Sequence, residues 1–479
     1  MSPNADLDSA LPAFRAQVQS AASAHPRVSE RAYMAVTPGV VDVMGGICED
    51  GGSILVTATL AASIRACGWR TGGNDLVVRL HGPGNDLKVR ECSLPIEKLL
   101  AADSTDAGLS DIFGRMDAPW AAAAGLSVRR AVIDGLIARP DGGLLILLQT
   151  DFADATDLGS PCSTAVAVIE TLAQLYNVEA ERGKKASIAA QSVVPITGVS
   201  RLRIAVTALS GVAAGSFLQL RFVPQFSCDP LLLPDGVTIA AARTVLARPT
   251  TLDRLIETRT CAEMGTRMIM DLRKKDGPAV DTKGSHLAAI SPSDYVDHYR
   301  DRLPSKITAK AYIAQFGTLR GLDGDGDGKA IFKVRSRAEH HIYENRRVHD
   351  FATNIARARR LGANEALVQA GELMYASHWS HSQRCGIGGV ETDKFVTAVR
   401  RRGHAEGLYG AKVTGGGNGG EVVILMRNDD RARAALRAAA NEAEAQTGTP
   451  VTIYDGSDPQ RESFPTAQVS DLLGAAAGV

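Results

Sequence analysis

Thr414-Gly415-Gly416-Gly417-Asn418-Gly419-Gly420 places five glycines in seven residues between two apolar, strand-like runs, 409–413 and 421–426. A glycine run gives up backbone entropy, which a chain accepts where it must turn sharply or approach a ligand closely. A plain hairpin needs only two such residues, so this run reads as a ligand-facing loop. Gly415, Gly417 and Gly420 also satisfy GxGxxG. That dinucleotide fingerprint needs a helix directly after the glycines to hold the pyrophosphate. Residues 421–426 are a β run instead, so the pattern argues poorly for a dinucleotide-dependent oxidoreductase. No GxxxxGK[ST] loop is present, because Gly328-Lys329 leads into Ala330.

Two further segments carry binding chemistry. In Asp157-Leu158-Gly159-Ser160-Pro161-Cys162-Ser163-Thr164 a polar turn opens a helix whose apolar positions Ala165, Ile169, Leu172 and Tyr176 share a face. Exposed amides and the positive helix end attract phosphate, and Ser160, Ser163 and Thr164 offer hydroxyls. Ordinary capping by Ser160 ahead of Pro161 is the plainer reading of the same residues. The other segment runs from Pro38-Gly39-Val40-Val41-Asp42 to Gly45-Gly46, followed by Glu49, Asp50, Gly51 and Gly52. Its carboxylates suit a ligand rich in hydroxyls; a solvated acidic turn is the alternative.

These three segments, in this order, resemble the kinase superfamily of galactokinase, homoserine kinase, mevalonate kinase and phosphomevalonate kinase. The nearest likeness is to the kinase half of plant L-arabinokinase, then to galactokinase. Flanking text adds to it: Ile342-Tyr343-Glu344-Asn345, Cys385-Gly386-Ile387-Gly388 with Thr392-Asp393, and Tyr409-Gly410-Ala411-Lys412. The resemblance implies an α+β, two-lobed fold with the active site in the cleft between lobes. It implies ATP with Mg2+, and a sugar such as L-arabinose or galactose phosphorylated at the anomeric hydroxyl. Gly159, Ser160, Ser163 and Thr164 would cradle the nucleotide together with Gly415, Gly416, Gly417, Asn418 and Gly419. Asp42, Glu49 and Asp50 would face the sugar.

The match breaks where the chemistry is done. The family's sugar kinases carry an acid in a Gly-hydrophobic-Met-Asp-Gln segment; here Gly198-Val199-Ser200-Arg201-Leu202 stands there, and residues 183–228 contain no Asp or Glu. Arg201 is therefore the candidate for the altered catalytic position. Val40 replaces the arginine of Pro-Gly-Arg, Ala240-Ala241-Ala242 replaces Asp-Ser-Gly, and Ala165 falls where relatives have a magnesium-binding glutamate. The sequence itself assigns no metal ligands. Losing a general base costs about 10²–10⁴-fold, whereas positioning and electrostatics carry most of phosphoryl transfer. Two readings stay open: an active sugar kinase, and a pseudokinase that binds nucleotide or sugar without turnover.

Length and composition frame both. At 479 residues the chain exceeds one core. Residues 1–30 read as a flexible tail or short helix, 31–232 as an N-terminal kinase domain and 233–479 as a C-terminal one. The 45% apolar and 22% charged fractions are those of an ordinary globular chain. Basic and acidic residues balance at 53 each, so no net field draws nucleic acid or membrane, and a small molecule is the expected partner. Seven scattered cysteines without a CxxC pair, and no apolar leader or spanning run, point to the cytoplasm. Asp323-Gly324-Asp325-Gly326-Asp327-Gly328 imitates a calcium loop, but position twelve is Val334 rather than the bidentate Glu. His340, His341, His349, His378 and His381 read as packed or solvated histidines, and Arg400-Arg401-Arg402 as a solvated helix end.

Overall fold

Residues 33–44, apolar at most positions, form the strand Tyr33–Met44, and the chain comes back through a longer one, Leu55–Thr71. Both strands pass from one compact unit to another. Met1–Val40, Thr59–Gly215 and Asp455–Val479 make up the first unit; Val41–Ala58 and Ser216–Tyr454 make up the second. The computed structural model describes residues 5–26, 28, 31–82, 89–152, 158–248, 252–276, 286–319, 322, 328–415, 420–456 and 466–468. The fold is mixed α and β, as expected.

In the first unit the strand Gly143–Thr150 is buried along its whole length. It runs antiparallel to residues 64–71 and parallel to Asp75–His81, which pairs in turn with Val89–Pro95. A strand covered on both faces reads as a continuous apolar run, and Leu144 to Leu148 is one. The helices Ala122–Ile133, Ser160–Leu175, Arg182–Ser192 and Leu202–Leu209 pack on one another. Ser160–Leu175 is buried on nearly every side, consistent with its Ala, Val, Ile and Leu all round. The N-terminal residues are not a flexible tail. Ala5–Ala24 is a helix whose Phe14, Val18 and Ala21 pack with Trp69, Leu145 and Leu147. Burying that apolar stripe fixes a segment whose polar intervals had concealed it.

In the second unit a four-stranded antiparallel sheet has the order Leu408–Val413, Glu421–Arg427, Val237–Thr244, Val451–Asp455. Ala240 to Ala242 lie in its core, packed beside the helices Val390–Arg402 and Asp430–Thr447. A two-residue link joins the long helices Val334–Leu361 and Asn364–Ser380. The second of these lies so close to the edge strand that a Cβ on Gly371 would overlap the Tyr409 carbonyl. Glycine there is a packing requirement. Residues 55–58 pair with Phe217–Arg221, which pairs with Ser227–Leu231. Of the calcium-like run, 323–327 lie outside the described residues. No described helix is long and apolar enough to cross a membrane, and all seven cysteines are free.

Candidate functional site

Gly159 (φ 75°, ψ 5°) caps the helix Ser160–Leu175 from the left-handed region. A Cβ there would come within 3.0 Å of the Val40 carbonyl oxygen and 3.2 Å of Ile204, so both conformation and space require glycine. Val40 N–H donates to the Leu158 carbonyl at 3.1 Å, tying the loop to the first strand. No side chain caps the helix, and its first turn carries no acidic residue. The residue in the cap position is Gly159, and Ser160 is the first residue of the helix. Ser160 and Ser163 are fully buried and Thr164 is 7% exposed. The Ser163 hydroxyl has no hydrogen-bond partner among the described residues. A helix start with buried hydroxyls and no acidic residue in its first turn is chemistry suited to an anion.

Arg201 lies beside this turn. Its carbonyl accepts from Ile204 N–H (2.9 Å), Ala205 N–H (3.1 Å) and the Cys162 thiol (3.6 Å). It thus starts the helix Leu202–Leu209 against the first turn of Ser160–Leu175. Ala165 is fully buried, and Glu170 pairs with Lys185 at 2.5 Å, so neither supplies a carboxylate to the loop.

The second unit gathers the other motifs. Asp42 is fully buried; its N–H donates to Thr414 Oγ1 at 2.8 Å, and the same hydroxyl donates back to its carbonyl at 3.0 Å. The first and third motifs are thereby clasped through backbone. Next to them the short helix Gly46–Gly51 carries half-buried Glu49. The Ile-Tyr-Glu-Asn segment bolts this turn down. Glu344 Oε1 accepts from Gly45 N–H (3.3 Å), and Asn345 Oδ1 accepts from Ser53 Oγ (3.2 Å) and Ile54 N–H (3.1 Å).

Glu344 is the centre of a buried ionic cluster. Arg347 Nε donates to it at 2.8 Å and Ser377 Oγ at 2.5 Å. Burial pushes its carboxyl up, but Arg347, Lys412 and the Ser377 hydroxyl outweigh that and hold it at about 2. Lys412, fully buried, is pushed below the usual lysine range by burial while Glu344 and Asp42 pull it back up. His381 donates from Nδ1 to the Ser377 carbonyl at 3.0 Å, and burial with Lys412 nearby drives it down to about 3. His340, against Ser380 Oγ at 2.8 Å, is also driven well down by burial. The histidines read as packed or solvated are packed at 340, 341, 378 and 381, inside this cluster.

The structure brings Asp42, Thr414 and Lys412 together, and Arg201 with the turn at Cys162. Gly416, Gly417, Asn418, Gly419 and Asp157 lie outside the described residues, as does the Asp50 side chain; Gly415 is described at φ 58°. Sequence reasoning did not single out Arg347, Ser377 or the role of Lys412. Lys412 closes the segment Tyr409-Gly410-Ala411-Lys412, whereas Arg347 and Ser377 lie outside every motif segment. Among the described residues no group of three or more His, Cys, Asp and Glu side chains is placed to hold a metal ion. The described residues 158–164 of the phosphate loop suit a nucleotide's phosphates and include no carboxylate.

No protein-family model matches the chain. L-arabinokinase of Arabidopsis thaliana is 32% identical over 185 residues, 37% of this chain and 17% of that protein. A galactokinase of Lactococcus lactis subsp. cremoris is 28% identical over 170 residues, 35% of this chain and 40% of its own length. The chain therefore spans less than half of either relative. The crystal structure of Lactococcus lactis galactokinase complexed with galactose superposes with a TM-score of 0.67 at 18% identity, covering 95% of this chain and all of the other. That likeness is one of fold. Taken with the sequence relatives and the ordered motifs, it supports a likeness to the kinase superfamily of galactokinase, homoserine kinase, mevalonate kinase and phosphomevalonate kinase.

Proposed function

We propose that this chain is an ATP-dependent small-molecule kinase acting on the anomeric hydroxyl of a monosaccharide such as L-arabinose or galactose. The observation that carries the reading is the helix start at Gly159, whose first turn holds no acidic residue and is lined by buried serine hydroxyls, one of them unpaired among the described residues. Gly159, Ser160, Ser163 and Thr164 hold the phosphates of ATP, with the glycine motif 415–419 as the second nucleotide element. Asp42, Glu49 and Asp50 belong to the sugar side. In this scheme Arg201 takes the place of the family's acid and stabilises charge on the transferring phosphoryl group rather than accepting a proton. Magnesium supplies charge neutralisation when it arrives with the nucleotide. Among the described residues no group of three or more ligating side chains is placed to hold it, so no step is routed through it.

A matrix of nucleotides against sugars, read by thermal shift, tests the binding half of the proposal, because ligands raise apparent stability by mass action whether or not chemistry follows. An assay for ATP-dependent phosphorylation across a sugar panel, with magnesium or manganese, tests the rest. Absence of any transfer would overturn the kinase reading. One observation favours a second reading: residues 183–228 hold no acid and Arg201 stands at the catalytic position. A pseudokinase of regulatory or structural role predicts thermal shifts without product. The cytoplasm is the compartment that fits free, mostly buried cysteines.

A further inference from the structure

The turn Gly46–Gly51, which carries Glu49, is held at its two ends by neighbouring residues of one helix, Val334–Leu361. At the near end Glu344 Oε1 accepts from Gly45 N–H at 3.3 Å. At the far end Asn345 Oδ1 accepts from Ser53 Oγ at 3.2 Å and from Ile54 N–H at 3.1 Å. The other half of the same amide, Nδ2, donates to the Ala288 carbonyl at 2.9 Å. Asn345 thus joins two segments distant in sequence, 52–54 and 286–289.

An amide suits this place for a chemical reason. A backbone N–H only donates and a carbonyl only accepts, so a side chain between Ile54 and Ala288 must do both. A carboxylate would meet the Ala288 carbonyl without a proton, and an aliphatic side chain would leave both backbone groups unpaired. The two segments also meet closely. A Cβ on Gly52 (φ 75°) would come within 3.0 Å of His286 Cβ and Cγ, so glycine is required there by conformation and by space. Between the two ends Ile47 packs on Leu255, Cys385 and Ile387. That apolar contact seats the middle of the turn without direction, whereas the hydrogen bonds of Glu344 and Asn345 are directional and set its register.

We infer that Asn345 is a positioning residue of the sugar side: by fixing residues 52–54 it sets how the turn presents Glu49, and it governs sugar affinity without entering the transfer step. This rests on the reading of the turn as a sugar element, although its structural half can be tested without sugar.

Three variants grade the contact. Asn345→Leu keeps the bulk and removes both halves of the amide. Asn345→Asp keeps an acceptor for Ser53 and Ile54 and loses the donor to Ala288. Ser53→Ala removes one donor and leaves both backbone partners in place. Three readouts are taken on folded protein: amide hydrogen exchange over residues 45–54, calorimetric affinity for L-arabinose and for galactose, and steady-state kinetics with MgATP. In Asn345→Leu the turn should exchange at least about tenfold faster, and sugar Kd and KM should rise about tenfold, as for backbone groups left unpaired. Its kcat and its affinity for ATP should stay within about twofold of wild type, the pattern of a lost binding contact. Asn345→Asp should fall between, and Ser53→Ala should lie nearest to wild type. A packing role alone would lower the melting temperature in the same order and leave sugar Kd unchanged; that result overturns the inference. An equal loss of ATP affinity would overturn it too, because the residue would then act on the whole site. If wild type binds neither sugar, the sugar reading fails and the affinity half falls with it, while exchange still decides whether Asn345 holds the turn. Unaltered exchange over 45–54 in Asn345→Leu refutes that as well.

Discussion

The helix Ser160–Leu175 and the helical pair Val334–Leu361 and Asn364–Ser380 are both deeply buried, yet they treat charge in opposite ways. Ser160–Leu175 has one acid, Glu170, already paired with Lys185, and its open end offers hydroxyls and helix polarity. The pair encloses Glu344 with Arg347, beside Lys412 and two neutral histidines. Burying ions costs several kcal/mol each unless partners and hydrogen bonds offset it. The second unit accepts that cost because each ion holds backbone: Glu344 the Gly45 amide, Lys412 the Val413 carbonyl. A scaffold of internal charges shapes loops, whereas an apolar helix with an unfilled polar end is left to receive charge from a ligand.

Removing an ion from the scaffold should have the largest effect. Glu344→Ala leaves Arg347 and Lys412 unbalanced in the interior and frees the Gly45 amide. We expect a loss of about 3–5 kcal/mol in unfolding free energy by urea titration. A loss below about 1 kcal/mol would show that the cluster is dispensable and would break the contrast.

Acid should dissect the same cluster. His381 is depressed from 6.5 to about 3, so between those values the unfolded chain binds a proton that the folded one refuses. Stability is fully present above about pH 6.5 and falls as pH drops toward 3, by up to about 1.4 kcal/mol per pH unit for this group. Glu344, held at about 2 from 4.5, adds a second loss as pH falls from 4.5 toward 2. The unfolding midpoint should therefore decline from pH 7 to 5, and His381→Asn should flatten that decline. A wild-type profile already flat there would mean that His381 is not held neutral by the fold.

At the phosphate loop the effects should be smaller and should move from stability to binding. Gly159→Ala puts a side chain in the left-handed region against the Val40 carbonyl, at a cost of about 1–2 kcal/mol. Ser163→Ala removes a hydroxyl unpaired among the described residues, so stability should change by less than about 0.5 kcal/mol while nucleotide affinity drops. Equal affinity in Ser163→Ala and wild type would mean that this hydroxyl meets no ligand.

The glycine run and the phosphate turn were legible because each has a local signature: glycines between β runs, and Gly-Ser-Pro opening an apolar helix. The ionic cluster was not legible in this way. Arg347 and Lys412 look like any charged residue on a helix or strand, and only tertiary packing sets them around Glu344. The choice between tail and short helix at the N-terminus was open for a related reason, since a helix stabilised by docking three apolar side chains needs little propensity of its own. The division of the chain was also beyond local reading, because residues 41–58 belong with a partner segment far away in sequence.

The last comparison is at Arg201, where the expected effect is on turnover. Its carbonyl accepts from Ile204, Ala205 and Cys162, so the backbone that starts the helix Leu202–Leu209 does not depend on the guanidinium. Turnover is another matter. If the guanidinium stabilises the transferring phosphoryl, Arg201→Asp should lose at least about tenfold in kcat with nucleotide affinity retained, since arginines in that role contribute about 10³–10⁵. A rise in kcat would show instead that the position still wants the family's carboxylate. With no product from either protein, the altered Val40, Ala165 and 240–242 positions outweigh residue 201. The helix start at Gly159 would then be a nucleotide-binding element without a reaction.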